Sequence, residues 1–196
     1  TSFAALKAKL EAHELGPIES LQITSNAPSP PPLEYIGVPG GLFFDMSIHD
    51  FDMARFLLGE EPVEVFAWGS CLVDPAIGAA GDVDTARIML RTDSGRLAVI
   101  ANSRRSGFGY DQRVEAFCSG GLVAAGNVHE TTVRVWREEG AATAPFQNFF
   151  LERYASAFRN EIDHFAHLLN GETPRVTFHD GIAALAIADA ARQSVA

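Results

Sequence analysis

GGLFFDMSIHDFDMARFLLGEEPVEV, residues 40–65, decides how the rest of the chain is read. Paired glycines open it, an apolar run with helical spacing fills it, and Gly59 with Pro62 beyond it supplies a helix stop. PVEV then has strand character, so a strand follows the helix almost at once. The helix is apolar over most of its circumference, yet Asp45, His49, Asp50 and Asp52 crowd its first turns. At about 100° per residue, Asp45, His49 and Asp52 fall within a wedge of roughly 60°. Ile48 and Met53 border that wedge and Phe56 lies inside it. A solvated face would be broad and rich in Lys and Glu; this is a narrow titratable stripe on a helix otherwise suited to burial.

N-terminal to it, TSFAALKAKLEAHELG (1–16) reads as an amphipathic helix with Phe3, Leu6 and Leu10 on one face, and IESLQITSN (18–26) as a strand. SNAPSPPPLEYIGVPGG (25–41) is a proline-rich connector expected to be extended and not helical. Beyond the helix come five β segments, at 62–73, 84–92, 95–105, 112–119 and 131–138, with hairpin turns at Thr92–Gly95 and Ser119–Gly121. They follow one another too closely for crossover helices, so the sheet is expected to be mostly antiparallel. Residues 145–171 read as one long helix ended by Gly171, and 180–194 as a second, small and apolar. The order predicts an α+β fold: an open-faced, largely antiparallel sheet with helices packed on one face.

Both faces of that sheet are apolar. Ala86, Ile88 and Leu90 alternate with Met89, Val114, Ala116 and Cys118 with Phe117, Val63 and Val65 with Phe66 and Trp68, and Val133 and Val135 with Trp136. The face with Phe66, Trp68, Met89, Phe117 and Trp136 has no cover within the chain, which predicts a homodimer or homotetramer joined through it. Scattered or loop-shielded aromatics are the alternative.

Composition narrows the classes. The chain has 196 residues, 47% hydrophobic and 20% charged, with a net charge of −10 that argues against nucleic acid. No apolar run reaches the roughly 18 residues that cross a bilayer, and the first residues lack the order of a signal peptide. Cys71 and Cys118 lie far apart with no CxxC pair, so reduced thiols in a cytoplasmic protein are expected.

Three chemistries fit the stripe. Asp45 can cap the helix while His49 is a satisfied core histidine. A His with two carboxylates can bind zinc, but that needs a distant further ligand, and neither His129 nor His179 is supported by spacing. Asp45 also lies four residues before His49, so the two side chains can meet. A carboxylate beside an imidazole fixes its tautomer and raises its basicity, the arrangement of a general base that contributes about 10²–10⁴-fold in rate.

The run at 40–65 as a whole resembles the substrate-domain signature of the glucose–fructose oxidoreductase and inositol dehydrogenase family, and within it the bacterial inositol 2-dehydrogenases. ITSNAPSPPPLEYI is similar to the family's connector, ANSRRSGFGYDQRVEAFCSGG to its strand pair, and FLERYASAFRNEIDHF and GETPRVTFHDGIAALAIADAA to its closing helices. The resemblance implies NAD-dependent oxidation of an inositol-like cyclic polyol to a ketone by hydride transfer. It implies His49 as the base, oriented by Asp45, with Tyr110 and Arg105 near the polyol. The plainer reading makes Tyr110 an ordinary strand-end tyrosine, and Ser103, Arg104 and Arg105 a solvated strand end.

The chain has no GxGxxG after a strand, as a dinucleotide site requires. The resemblance puts the cofactor domain ahead of Thr1, so this piece is expected to hold no cofactor and to be inactive alone. On that division, 1–26 is a remnant helix and strand at the junction, 27–41 the connector and 42–196 the α+β domain. Asn26, Gly37 and Phe44 stand where the family usually carries charged residues, which opens the choice of polyol. A dehydrogenase of another sugar or cyclitol, or a non-catalytic polyol-binding or assembly module, are the rival readings.

Overall fold

The computed structural model describes residues 1–38 and 40–195. Its strands are β1 (Ile18–Asn26), β2 (Pro62–Ser70), β3 (Thr85–Thr92), β4 (Leu97–Ser103), β5 (Asp111–Cys118) and β6 (Gly121–Ala125). They form one six-stranded sheet in the order β2-β3-β4-β1-β5-β6. Every pairing is antiparallel except β1 with β4. That exception has a connectivity cause: a long connector and a helix separate β1 from β2, which frees β1 to insert between β4 and β5.

Period-two alternation decides what is buried. Leu21 and Ile23 of β1, Ile88 and Leu90 of β3, Ile100 of β4 and Val114 of β5 all turn to one face and are almost inaccessible. Two helices cover that face, α3 (Ile48–Leu58) and α7 (Phe178–Val195), with α7 over β2 and α3 over β1. Phe51, Ala54, Leu57 and Leu58 of α3 share one core cluster with Ile187, Ala188 and Ala191 of α7, where the two alanines let the helices approach closely. Gly59 ends α3 with φ of 69°, a left-handed position that costs a glycine little. α1 (Ser2–Glu11) adds Leu6 to the core and lies against β6.

The opposite face is open, with Phe66, Trp68, Met89 and Phe117 exposed and Phe66 edge-on to Trp68 at 4.8 Å. Trp136 is not part of it. The segment 131–138, expected in the sheet, lies outside it: β7 (Arg134–Arg137) pairs only with β8 (Gly140–Thr143) in a separate hairpin, because its local turn partner satisfies it first. Val63 also departs: a register shift between Pro62 and Glu64 leaves it exposed, while Val65 and Ala67 keep the inward phase.

Other boundaries differ from the sequence reading. The connector contains a short helix, α2 (Leu33–Ile36), started by Pro32, a residue tolerated at a helix entrance. A further helix, α4 (Pro75–Ala79), follows β2, its N-terminus capped by Asp74. Residues 145–171 are not one helix. Backbone bonds from Glu130 to Pro145 and from Gln147 to Val128 hold the first part extended, leaving α5 (Phe150–Arg153) and α6 (Ala155–Leu168) broken at Tyr154.

The turn between β2 and β3 is pinned by Asp84, which is fully buried. Its carboxylate accepts the backbone N–H groups of Leu72, Val73 and Asp74 at 2.8–3.0 Å and the Thr85 hydroxyl at 2.9 Å. Its own carbonyl accepts the Arg104 N–H at 2.8 Å, which ties this turn to the end of β4. Burial works against the charge, but these donors outweigh it and hold the carboxyl down to about 2. The pairing therefore stabilises the fold above the unfolded value of about 3.9 and is lost as pH falls through about 2. Asp84→Ala should destabilise the chain by about 3 kcal/mol, as three N–H groups lose their acceptor; urea unfolding at pH 7 measures it.

Candidate active site

The C-terminal ends of β1 and β4, the start of β5 and the first turns of α3 converge at one end of the sheet. At their centre is Asn102, which has no accessible surface. Its Oδ1 accepts the Ser47 hydroxyl at 2.7 Å, and its Nδ2 donates to Asp50 Oδ2 at 2.7 Å and to the Ser25 carbonyl at 3.2 Å. Gln112 Nε2 donates to Ser25 Oγ at 2.7 Å, and the Tyr154 hydroxyl donates to Gln112 Oε1 at 3.4 Å. The Tyr110 ring stands edge-on to Tyr154 with centroids 6.0 Å apart.

Asp50 is the one carboxyl inside this network. Burial drives its pKa up, and the bonds from Asn102 and Ser25 offset only part of that, leaving it pushed up to about 7. Asp52, further along the same helix, is half-exposed and paired with Arg55 at 3.0 Å; burial still raises it. Arg55 also reaches Glu61 at 2.6 Å and Asp180 at 3.3 Å, an ion cluster that joins α3 to α7.

Asp45 occupies a π-helical turn, Phe43–Ser47, that leads into α3. A π turn takes in one residue more than an α turn, so Asp45 is rotated about the axis relative to the 100° reading. The consequence is a correction: Asp45 and His49 share no hydrogen bond. Asp45 Oδ1 accepts the Tyr35 hydroxyl at 3.1 Å, and Oδ2 accepts Arg104 Nη1 at 2.8 Å. The carboxylate in turn holds the Tyr35 phenol above its usual range. Arg104 is not a solvated strand end; its side chain is 3% exposed, with Nη2 3.6 Å from Asp82 Oδ2.

His49 is exposed at the rim of a cleft of about 60 Å³, lined also by Phe3, Thr24, Asp50, Met53, Gln112 and Tyr154. That volume holds a few waters and is far below the roughly 300–1,000 Å³ of an enclosed ligand site; it is a shallow wall. Neither Tyr110 nor Arg105 lines it. Tyr110 is half-buried behind Tyr154, and burial pushes its hydroxyl well above the usual tyrosine range. Arg105 is exposed, and only its backbone N–H is bonded, to Ser103 Oγ at 3.2 Å. Among the described residues no group of three or more His, Cys, Asp or Glu side chains is placed to hold a metal ion; the His129 ring bonds the Ala144 carbonyl at 2.6 Å.

Reading the sequence alone misses Ser25, Tyr35, Asn102, Gln112 and Tyr154. Three of them carry a signal. Ser25, Asn102 and Gln112 fall in the inward phase of β1, β4 and β5, so a polar residue there must be buried and bonded.

Because Asp50 titrates near 7 when folded and near 3.9 when unfolded, the folded chain binds the extra proton in between. The contribution of this group to stability is then fully present below about pH 4 and is lost as pH rises through about 7. Asp50→Asn keeps an oxygen for Asn102 and removes the charge. Relative to the unsubstituted chain, its thermal midpoint should be higher at pH 8 than at pH 5, read by circular dichroism.

Comparison with known proteins places this arrangement. The GFO/IDH/MocA C-terminal domain matches residues 3–124. A myo-inositol 2-dehydrogenase of Thermotoga maritima is 51% identical over 195 residues, which are 99% of this chain and 58% of that protein. An inositol 2-dehydrogenase of Rhizobium meliloti is 48% identical over 99% of this chain and 59% of its own length. Among solved structures, a myo-inositol dehydrogenase from Corynebacterium glutamicum superposes with a TM-score of 0.95 at 43% identity, over 99% of this chain and 59% of that one. A scyllo-inositol dehydrogenase from Lactobacillus casei, with bound NAD(H) and scyllo-inositol, superposes with a TM-score of 0.90 at 26% identity over the same shares. The chain thus spans less than two thirds of the length of these relatives. With the match running through more than half of its residues, the chain belongs to the GFO/IDH/MocA C-terminal domain family.

Proposed function

We propose that the chain is the substrate-facing part of an NAD-dependent oxidoreductase that converts an inositol-like cyclic polyol to a ketone, with His49 as the base. What carries the reading is the likeness along 99% of the chain to proteins named inositol 2-dehydrogenase, together with an exposed imidazole at a cleft lined by Asp50, Gln112 and Tyr154 of the buried polar network. On this reading residues 42–196 form the substrate domain, with 27–41 the connector and 1–26 the junction with a cofactor domain.

A polyol hydroxyl is about as weak an acid as water. Hydride leaves its carbon readily only as the hydroxyl proton is removed, so a positioned base lowers the barrier by about 3–5 kcal/mol. His49 suits that role, being an exposed imidazole at the rim of the cleft that Asp50 also lines. Asp45 takes the orienting role when its carboxylate turns from Arg104 and Tyr35 toward the ring. Tyr110 contributes through Tyr154, and Arg105 from solvent, outside the cleft lining. Among the described residues no strand opens into a helix through a glycine-rich turn. The step assigned here is the proton's alone, and the chain by itself is read as inactive.

The exposed aromatics of the open sheet face support self-association into a homodimer or tetramer in the cytoplasm. Light scattering at high concentration should give a multiple of 21.1 kDa; a monomer at every concentration rejects it. For the chemistry, His49→Ala in the full-length protein should lower kcat for myo-inositol with NAD by at least about 100-fold. A change of less than about tenfold removes His49 from the base role, and no NAD reduction with any inositol removes the substrate class.

A further inference from the structure

Arg104 is the most tightly enclosed cation at the site, and it is held unevenly. Nη1 bonds Asp45 Oδ2 at 2.8 Å, while Nε and Nη2 are buried with no hydrogen-bond partner. Asp82 Oδ2, also buried and unpartnered, lies 3.6 Å from Nη2. Asp82 itself is fixed, since its Oδ1 accepts the Leu42 N–H at 3.0 Å. One guanidinium therefore faces two carboxylates, bonded to one and a fraction of an ångström short of the other. Buried donors and acceptors left unsatisfied are costly, so moving the guanidinium onto Asp82 recovers there much of what it gives up at Asp45.

Resting on the reading of His49 as the base, we propose that Tyr35 and Arg104 are positioning residues that latch Asp45 away from His49, and that Asp82 is the second seat to which Arg104 moves when the latch opens. Released, the Asp45 carboxylate is four residues before His49 and free to swing across the π turn toward its ring. The latch decides when the imidazole gains its orienting partner. Around the pair the other titratable or charged groups are Asp50, Asp52, Arg113 and Tyr154 at the cleft, and Tyr35, Arg104 and Asp82 about Asp45.

Three substitutions in the full-length protein separate this from a structural role. Tyr35→Phe removes one bond from Asp45 with no change of charge, at an exposed residue. Arg104→Gln removes the cation and keeps a donor. Asp82→Asn removes the second seat and keeps the oxygen that accepts the Leu42 N–H. With myo-inositol and NAD, the acid limb of the kcat–pH profile should move up by about half a unit to one unit in Y35F and R104Q, because a nearby carboxylate raises an imidazole pKa. In D82N it should move down by a similar amount and kcat should fall about tenfold, with KM for myo-inositol within twofold in all three. An unmoved limb in Y35F, whose charge is unaltered, overturns the latch while His49→Ala still tests the base; if H49A retains its rate, both fall. Should R104Q fail to fold, Y35F and D82N decide between them.

Discussion

One buried amide holds the candidate site together. Asn102 sits at the end of β4 with no accessible surface and bonds a residue from each of three other segments: Ser47 in the π turn, Asp50 in α3 and the Ser25 carbonyl in β1. A carboxamide suits this place because it donates and accepts at once. An aspartate there would set a second carboxylate against Asp50. A leucine would leave the Ser47 hydroxyl, the Asp50 carboxyl and the Ser25 carbonyl unpaired in the interior, at about 1–3 kcal/mol each. The geometry at His49 follows, since the turn that carries it is tied at Ser47 on one side and Asp50 on the other.

Three carboxyls within eight residues of one helix entrance show how far environment decides chemistry. Asp52 is half out in solvent on Arg55, and Asp45 has a cation and a phenol. Asp50 has only neutral donors and is buried, so it alone is pushed up to about 7. The same residue type thus supplies a structural ion pair, a latched carboxylate and a proton-holding acid. His49, between them in sequence, stays at the surface.

Much of the fold is legible because alternation reports burial directly: the inward residues of β3 and β5 and the two hairpin turns lie where period two puts them. The same alternation holds an unread message at Ser25, Asn102 and Gln112, where the inward phase turns polar at the same end of three neighbouring strands. Other features have no local signature. Nothing in FFDMS distinguishes a π turn from an α turn, so a helical wheel brings Asp45 onto His49 when Arg104, distant in sequence, has taken it. The insertion of β1 beside β4 and the withdrawal of β7 from the sheet rest on long-range competition for strand partners. Arg104 and Arg105 are adjacent and alike in chemistry, both just past the end of β4; the carboxylates of Asp45 and Asp82, distant in sequence, mark out the buried cation from the exposed one.

The arrangement also separates two surfaces that a sequence reading runs together. Helix α3 and the cleft lie with the face that carries the core, whereas Phe66, Trp68, Met89 and Phe117 project from the other. A sheet whose inward side chains are fully packed stands between them, and β4 faces both ways: Val99 outward, Ile100 and Asn102 inward. A second copy seated on the aromatic face would leave His49 and its cleft uncovered. It would also stiffen β4 and β1 from behind, the two strands whose ends hold Asn102 and Ser25. If the proposed self-association uses that face, it meets the candidate site through these two strands, and a substitution such as Trp68→Glu would bear on His49 through their rigidity.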